Sequence, residues 1–571
     1  MKTTITYLMF FIFSVKYVFT EPIHYKTSFG EFIGNINATL SGTEYVTFTF
    51  KYGQVLERFD VSTFSYPWNS DVGMTTPLDC TQSAPICYQV QFNGVSYPEM
   101  SEDCLYITVV ARRNNLKEVS KAEDRTESCS DLNKACVIFW IHGGGYVFGS
   151  SDLNAAGPQY FMDFSDCILV YVQYRLLHFG FAAAGCVVKG NMGLKDQNLA
   201  LQWTNNFINL FGGNTGCIIL LGQSAGAWSI NQHMCSPMSK DLFHKSVMLS
   251  GSVRSALVQN MTHATCELAS KLNCSMASTE EMVQCLKTVD ATRITNLIRD
   301  ILPYFKTPGV PLFTTETVEI DCGDGALRFV VDNPICVGIN TLISITTKEF
   351  VGAYKSVLTN PSYVLQLTTN FNETASKLLY FNYCNKTVTD RVGRIGLSYA
   401  TNTNIDNFSE MASDLEMTCP EISWIQERNN LDARTYFMQY DVKNFNCTNS
   451  VTDFPAHGDD VYLIFCNFIN SNCVNKPGST YYNIAGEYFD ILNHFIKNDD
   501  MESKFSFWHP TTSTMEPLIF GSEFGLNTNV KMGSSEIVQR CSKVTKEFDA
   551  TFLASGKKPS ETCGNICPHS T

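Results

Sequence analysis

The sequence predicts an α/β protein with a large, mostly parallel central sheet flanked by helices, entered through a small N-terminal β meander. Three observations carry this expectation. Apolar runs of strand length recur at 135–141, 167–174, 217–221 and 245–249, with a helical periodicity between the second and third. Strand, helix, strand with short links is the pattern of βαβ units. The run from Cys217 ends in Gly222-Gln223-Ser224-Ala225-Gly226, and a segment able to wind as a helix continues to His233. Two glycines without Cβ atoms let a strand turn sharply into a helix and lift the serine hydroxyl out of the sheet. Finally, 44% hydrophobic against 17% charged residues suits a globular chain with a sizeable core.

Taken in order, the first twenty residues place Lys2 ahead of an apolar run from Ile5 to Val15. That run is too short for a bilayer and reads as a signal peptide over 1–20, cut after Thr20. Residues 26–60 alternate in short β-like runs, the meander. Pro67 in Tyr66-Pro67-Trp68 stops that part, and Leu105 to Ala111 is a strand. Residues 113–134 are a polar surface connection. Ala135 to Ile141 is a strand running into His142-Gly143-Gly144-Gly145, where glycines leave backbone N–H groups open to a ligand, as an oxyanion hole requires. Cys167 to Tyr174 is a buried strand. The spacing of Leu199, Leu201, Trp203, Phe207 and Leu210 predicts a helix from Leu194, capped at Gly212-Gly213. Lys245 to Leu249 is a strand, 264–300 are helical, and 360–430 read as helices and loops above the sheet. Leu342 to Thr346 is a strand with Glu349 just past its end, and Tyr436 to Asp441 a late strand. His457 lies in a loop before an apolar helix, and Ala485 to Ile496 is a further helix. There is no internal repeat.

A formal charge of −14 with no long basic run argues against nucleic acid and anionic membranes as partners. Twenty-two cysteines favour an oxidising compartment. Sequons at Asn37, Asn260, Asn273, Asn372, Asn385, Asn407 and Asn446 point the same way, so the chain is expected to be a secreted glycoprotein. No second apolar stretch is long enough to cross a membrane.

A serine hydroxyl needs a base within hydrogen-bond reach and a third group to hold that base's tautomer. Downstream of Ser224, His233 and His244 come too soon to return to the turn, and His263 precedes any late strand. His494 falls inside a helix, His509 in a Trp-His-Pro turn and His569 in the tail. His457, in a glycine-containing loop after a strand, is the one suited to reach back; a core or surface histidine is the competing reading.

These pieces resemble the type-B carboxylesterase family, which also holds the cholinesterases. The matching motifs are Ser101-Glu102-Asp103-Cys104-Leu105, His142 to Gly145, Gly193 to Trp203, Phe211-Gly212-Gly213, the Ser224 turn, Thr346-Thr347-Lys348-Glu349 and His457-Gly458-Asp459-Asp460. The matches are scattered from about residue 27 to Trp508, and the resemblance makes 21–571 one domain of the α/β-hydrolase fold. It implies an ester hydrolase acting on a small ester without metal or cofactor. Ser224 matches the nucleophile, Glu349 the acid and His457 the base, with oxyanion donors at the backbone of Gly144, Gly145 and Ala225. It also implies disulfides Cys80–Cys104 and Cys274–Cys285, with Cys87 competing for the first. Cys136, Cys167 and Cys217, in buried strands, are expected as inert free thiols. The segment before Arg58-Phe59 departs from the family's proline-rich pattern, and Phe350 replaces a frequent glycine.

Two rivals arise from the same family: a catalytically silent adhesion ectodomain and a cholinesterase. The cholinesterases bind choline on a tryptophan between the cysteines of the first disulfide and carry glutamate before the nucleophile. The stretch from Cys80 to Cys104 has only Tyr88, Phe92 and Tyr97 as aromatics, and Gln223 precedes Ser224. Tyr146, Phe148, Trp228 and Phe350 are expected to wall an apolar pocket, so neutral, apolar esters are the expected substrates.

Overall fold

The computed structural model describes residues 22–65, 76–91, 97–116, 134–151, 156–252, 261–301, 338–349, 413–429, 433–442, 455–465, 477–511, 515–521 and 530–542, with isolated positions such as Cys129 and Cys322. The meander consists of β1 (Ile23–Thr27), β2 (Gly30–Ala38) and β3 (Glu44–Lys51), paired antiparallel with Tyr25 opposite Phe32 and Ile36 opposite Val46. It is not a separate layer. β3 pairs with β4 (Tyr106–Arg112), Phe48 opposite Val109, and so joins the main sheet. Phe32, Phe48 and Phe50 close on Phe211, with ring centroids 5.3 to 5.8 Å from it. Aromatic rings alternating along β3 thus tie the meander to the chain just before the elbow strand.

The remaining strands are β5 (Ala135–Ile141), β6 (Ile168–Val172), β7 (Gly213–Gln223), β8 (Lys245–Leu249), β9 (Asn340–Thr346), β10 (Thr435–Tyr440), β11 (Leu518–Phe520) and β12 (Val530–Met532). Their spatial order is β1-β2-β3-β4-β6-β5-β7-β8-β9-β10-β11-β12. From β6 to β11 every neighbouring pair is parallel, and both margins are antiparallel. Along β7, Ile218 and Leu220 enter one buried core while Cys217, Ile219 and Leu221 enter the other. Burial on both faces is why this strand reads as a continuous apolar run rather than an alternation.

Helix α1 (Met192–Phe207) makes the crossover from β6 to β7 with Leu194, Leu201 and Trp203 inaccessible to solvent. One short helical turn later the chain stops at Gly212, whose φ of +84° is left-handed. A Cβ there would lie 2.3 Å from the Asn115 carbonyl oxygen, so glycine is required on two counts. Helix α2 (Ala225–Cys235) comes directly after the elbow, and α3 (Cys419–Arg428), α4 (Val461–Ile464) and α5 (Thr480–Lys497) come later. α5 starts earlier than its apolar pattern suggests because Ser479 caps it, accepting from the N–H of Tyr482. β11 and β12, three residues each, carry too short a pattern to predict. Among the described residues no helix is long and apolar enough to cross a membrane.

Candidate active site

Ser224 occupies the turn between β7 and α2 with φ +55° and ψ −122°, a conformation an L residue adopts only where its surroundings impose it. The flanking glycines show what imposes it. A Cβ on Gly222 would lie 2.6 Å from the backbone of Gly226, and one on Gly226 only 2.0 Å from the Ile141 carbonyl oxygen. The Ser224 N–H donates to Leu249 O on the neighbouring strand, and Ser224 O accepts from Trp228 N–H, each at 2.9 Å. The helix therefore begins immediately behind the serine. Ala225 contributes its first N–H, which no residue within the helix can satisfy.

The glycine loop after β5 lies against this turn. A Cβ on Gly143 would stand 3.1 Å from Ser224 Cβ and 2.6 Å from the Gln223 carbonyl oxygen. Gly144 and Gly145 take φ values of +99° and +60°, and Tyr146 comes next at +57°. These left-handed residues turn the loop back on itself, with the Val147 and Phe148 N–H groups both donating to Gly144 O. The left-handed turn also sends the Tyr146 ring into the core, where it lies 4.4 Å from Phe181 and 5.9 Å from Trp228. Tyr146 and Trp228 are buried, so they support the site from below rather than wall an open pocket as expected; Phe148 is partly exposed and Phe350 lies outside the described residues.

His457 and Glu349 arrive from two other loops and meet. His457 Nδ1 lies 2.7 Å from Glu349 Oε2, and the His457 N–H donates to the Glu349 carbonyl at 2.8 Å. Glu349 is inaccessible to solvent, and its Oε1 accepts from Ser250 Oγ at 2.8 Å and from the Thr346 N–H at 2.7 Å. With the Nδ1 proton assigned to the carboxylate, Nε2 keeps its lone pair, which accepts from the Gln223 side-chain amide at 3.1 Å. Gln223 immediately precedes Ser224, so the imidazole faces the elbow. Of the other histidines, His569 lies outside the described residues, and the described ones fall where the sequence places them. His233 is buried inside α2 between Ser239 and Gln197, and burial lowers its pKa to about 3. His494 belongs to α5, and His509 is exposed beside Glu502. His142, ahead of the glycines, stacks on Tyr174 at 4.4 Å and is lowered to about 4 by burial.

Four residues of this surround carried no clear signal in the sequence. Ser250 ends the strand beside the elbow strand, the sheet edge where α/β folds place their chemistry. Asp460 is inaccessible and raised to about 7, first by burial and then by Glu349. Asp459 is raised to about 6 for the same reasons. Glu421 on α3 is buried against the same group and held well above the usual carboxylate range, burial again leading. A separate cavity of about 390 Å³, walled by Arg58, Glu102, Arg175 and Phe179 among others, is lined by none of Ser224, Glu349 and His457.

The disulfides correct two expectations. Cys104 pairs with Cys87, not Cys80. Cys80 is held between β2 and β3, donating its N–H to Ile33 O and accepting from Thr49 N–H, and its buried thiol is pushed far up in pKa. Cys87 instead lies in a short strand paired with Met100–Ser101, which brings it within 5.0 Å of Cys104, Cα to Cα. Cys217 is not a free thiol but is bonded to Cys129, whereas Cys136 and Cys167 are free and buried. Cys274–Cys285 is present, with Cys186–Cys322 and Cys419–Cys541 in addition. Among the sequons, Asn273 is exposed but Asn37 is buried on β2 with its amide donating to Asn35 O. Burial of Asn37 counts against it as a glycan acceptor. Asn260, Asn372, Asn385, Asn407 and Asn446 lie outside the described residues.

A sequence model of the carboxylesterase family matches residues 22–532. Venom carboxylesterase-6 of Apis mellifera is 30% identical over 440 residues, which are 72% of this chain and 73% of that one. Esterase FE4 of Myzus persicae is 32% identical over 320 residues, 56% of this chain and 53% of the other. The crystal structure of juvenile hormone esterase from Manduca sexta, with OTFP covalently attached, superposes with a TM-score of 0.76 at 21% identity, covering 93% of this chain and all of that one. At that identity the superposition establishes the α/β-hydrolase fold, while the family match and the first relative go further: this chain belongs to the carboxylesterase family and is a carboxylic ester hydrolase.

Proposed function

We propose that the chain is a secreted serine carboxylesterase that cleaves neutral, apolar carboxylic esters through an acyl-enzyme. The observation that carries the reading is the 2.7 Å contact of His457 Nδ1 with buried Glu349, on an imidazole facing the strained turn that holds Ser224. Ser224 Oγ attacks the ester carbonyl and its proton passes to His457 Nε2. The carbonyl oxygen becomes an oxyanion that accepts from the N–H groups of Gly144, Gly145 and Ala225, donors fixed before reaction and therefore costing no reorganisation. Glu349 stabilises the imidazolium without taking its proton. His457 then protonates the departing alcohol, and water repeats the sequence on the acyl-serine. The Gln223 amide, bonded to Nε2 in the resting chain, yields that lone pair to the serine proton.

Secretion is supported by the leader-like 1–20 segment and the number of cysteines, at least five pairs of which are joined, a pattern of oxidising compartments. Glycan acceptors are drawn from the sequons other than Asn37. The preference for uncharged esters rests on Gln223 and on the absence of tryptophan between Cys87 and Cys104. Against a non-catalytic adhesion module, the chain keeps Ser224, Glu349 and His457 together with the glycine loop. Ser224→Ala tests the reading: it is expected to fold and to lose about three orders of magnitude or more in turnover of a nitrophenyl ester. Retained turnover would remove Ser224 from the mechanism.

A further inference from the structure

The other end of the central strands, away from the elbow, carries sulfur chemistry that ester hydrolysis does not use. Val137 on β5 pairs with Ile168 on β6 and with Ile218 on β7. The residues just before these three, Cys136, Cys167 and Cys217, therefore stand in one row across adjacent parallel strands, and all three enter the same buried core under α5. Cys217 is bonded to Cys129, which comes from the connection between β4 and β5 and is partly exposed. Cys136 and Cys167 are free. Cys136 Sγ lies 2.8 Å from Cys217 Sγ, against about 2.05 Å in a formed disulfide.

We propose that these four sulfurs form a disulfide-exchange centre, in which Cys136 displaces Cys129 from Cys217. Cys136 Sγ, as thiolate, attacks Cys217 Sγ; the Cys136–Cys217 bond forms and the Cys129–Cys217 bond breaks. The electron pair leaves on Cys129 Sγ, which takes up the proton that Cys136 gave up. One disulfide and one free thiol stand on each side of the step, so no oxidant or reductant is required. The step moves the reactive thiol from a buried strand to the partly exposed Cys129, where small thiols and disulfides can reach it.

The surroundings assign the roles. The nucleophile must be a thiolate, and the Cys136 thiol is lowered in pKa, chiefly by a hydrogen bond from Cys167 and further by Lys497 and Lys245, with burial and Asp166 opposing. Cys167, the donor, is raised and stays a thiol. Lys245 is held in place, its ammonium donating to the carbonyls of Phe495 and Ile496 at the end of α5, and Lys497 is paired with Asp166. Attack at Cys217, the sulfur in contact, makes Cys129 the leaving group. The exchanged bond would join β5 to β7, which lead to the glycine loop and to Ser224. Six or seven residues of strand, about 20 Å, separate the sulfurs from that site, so basal esterase activity is not expected to change.

The test uses the full-length secreted protein, prepared without reductant and held native with excess N-ethylmaleimide at pH 8. Samples are quenched in acid over several hours and peptide-mapped without reduction. The expected result is progressive labelling of Cys129 together with a growing Cys136–Cys217 peptide. In Cys136→Ser, labelling of Cys129 should fall at least tenfold while Cys129–Cys217 persists. If that variant does not fold, Cys167→Ala, which removes only the hydrogen-bond donor, should slow the labelling severalfold. Labelling of Cys129 that is absent in the wild type, or unaltered in these variants, overturns the proposal. So does retention of one zinc ion per chain with Cys129 and Cys217 recovered as thiols.

Discussion

Replacing Glu349 with glutamine changes one atom type and leaves the shape, and the hydrogen bonds around the carboxylate dictate the consequence. Oε1 receives the Thr346 N–H at 2.7 Å and the Ser250 hydroxyl at 2.8 Å. A backbone N–H can only donate, so the glutamine must place its carbonyl oxygen there and its NH2 group at the Oε2 position. That NH2 then faces His457 Nδ1 at 2.7 Å. Two donors cannot face each other, so the imidazole must move its proton to Nε2, the atom required to be bare. Gln223 can turn its amide to accept that proton, which holds the wrong tautomer in place. The lost charge adds to this: with charge centres about 4 Å apart and an effective dielectric near 20, the carboxylate stabilises an imidazolium by about 4 kcal/mol. At about 1.4 kcal/mol per decade this is roughly a thousandfold, and the tautomer cost brings the expected loss in kcat to roughly 10³–10⁴. KM should change little. The assay is steady-state hydrolysis of p-nitrophenyl butyrate at pH 8, with thermal melting to show that Glu349→Gln is folded. A folded variant within tenfold of wild type would mean that Glu349 neither sets the tautomer nor compensates the charge.

Two further expectations concern substrate and pH. The specificity constant for an uncharged thioester should exceed that for acetylthiocholine of matched size; a tenfold advantage for the choline ester would reveal a cation site beyond Gln223 and the Cys87–Cys104 loop. For Asp460, raised to about 7 by burial and Glu349, the folded chain holds a proton between about pH 4 and pH 7 that the unfolded chain releases. Stability therefore falls as pH rises through that window, by up to roughly 4 kcal/mol from this group alone. Asp460→Asn cannot titrate, so urea unfolding should show its stability relative to wild type growing by about 2–3 kcal/mol from pH 5 to pH 8; an equal difference at both pH values would mean that Asp460 is ionised throughout.

The fold was legible where one face or both of an element is buried along its whole length. The strands from Ala135, Cys167, Cys217 and Lys245 and helix α1 emerged from apolar periodicity, and Gly212 from its position at a helix end. The strands at Leu518 and Val530 did not, because three residues give no period to read. The elbow was legible because its glycines are steric necessities, each facing backbone. Glu349 and His457 were reached only through order along the chain and family resemblance, since 108 residues separate them and nothing local records that they meet. The pairings of Cys104 and Cys217 were missed for the same reason, although the expected Cys274–Cys285 bridge is present. Cys80 and Cys87 both lie within one loop's length of Cys104 in sequence, and only the register of two short strands decides between them. Cys129 sits in a polar stretch with no pattern to point it at Cys217. The buried acids were hidden too: Asp459 and Asp460 fall in a loop before a helix, and nothing local records that Asp460 is buried beside Ser344 of β9 and Tyr488 of α5.

Covalent capture shows whether Ser224 is the nucleophile of this ester hydrolase. The native protein is treated with a fluorophosphonate, digested, and each modified peptide sequenced by mass spectrometry. The expected result is one phosphonyl group per chain, on Ser224, formed with loss of esterase activity and absent from Ser224→Ala and from heat-unfolded protein. Full inhibition with the phosphonyl group on another residue, or a native chain that hydrolyses esters and takes up no reagent at Ser224, would contradict it.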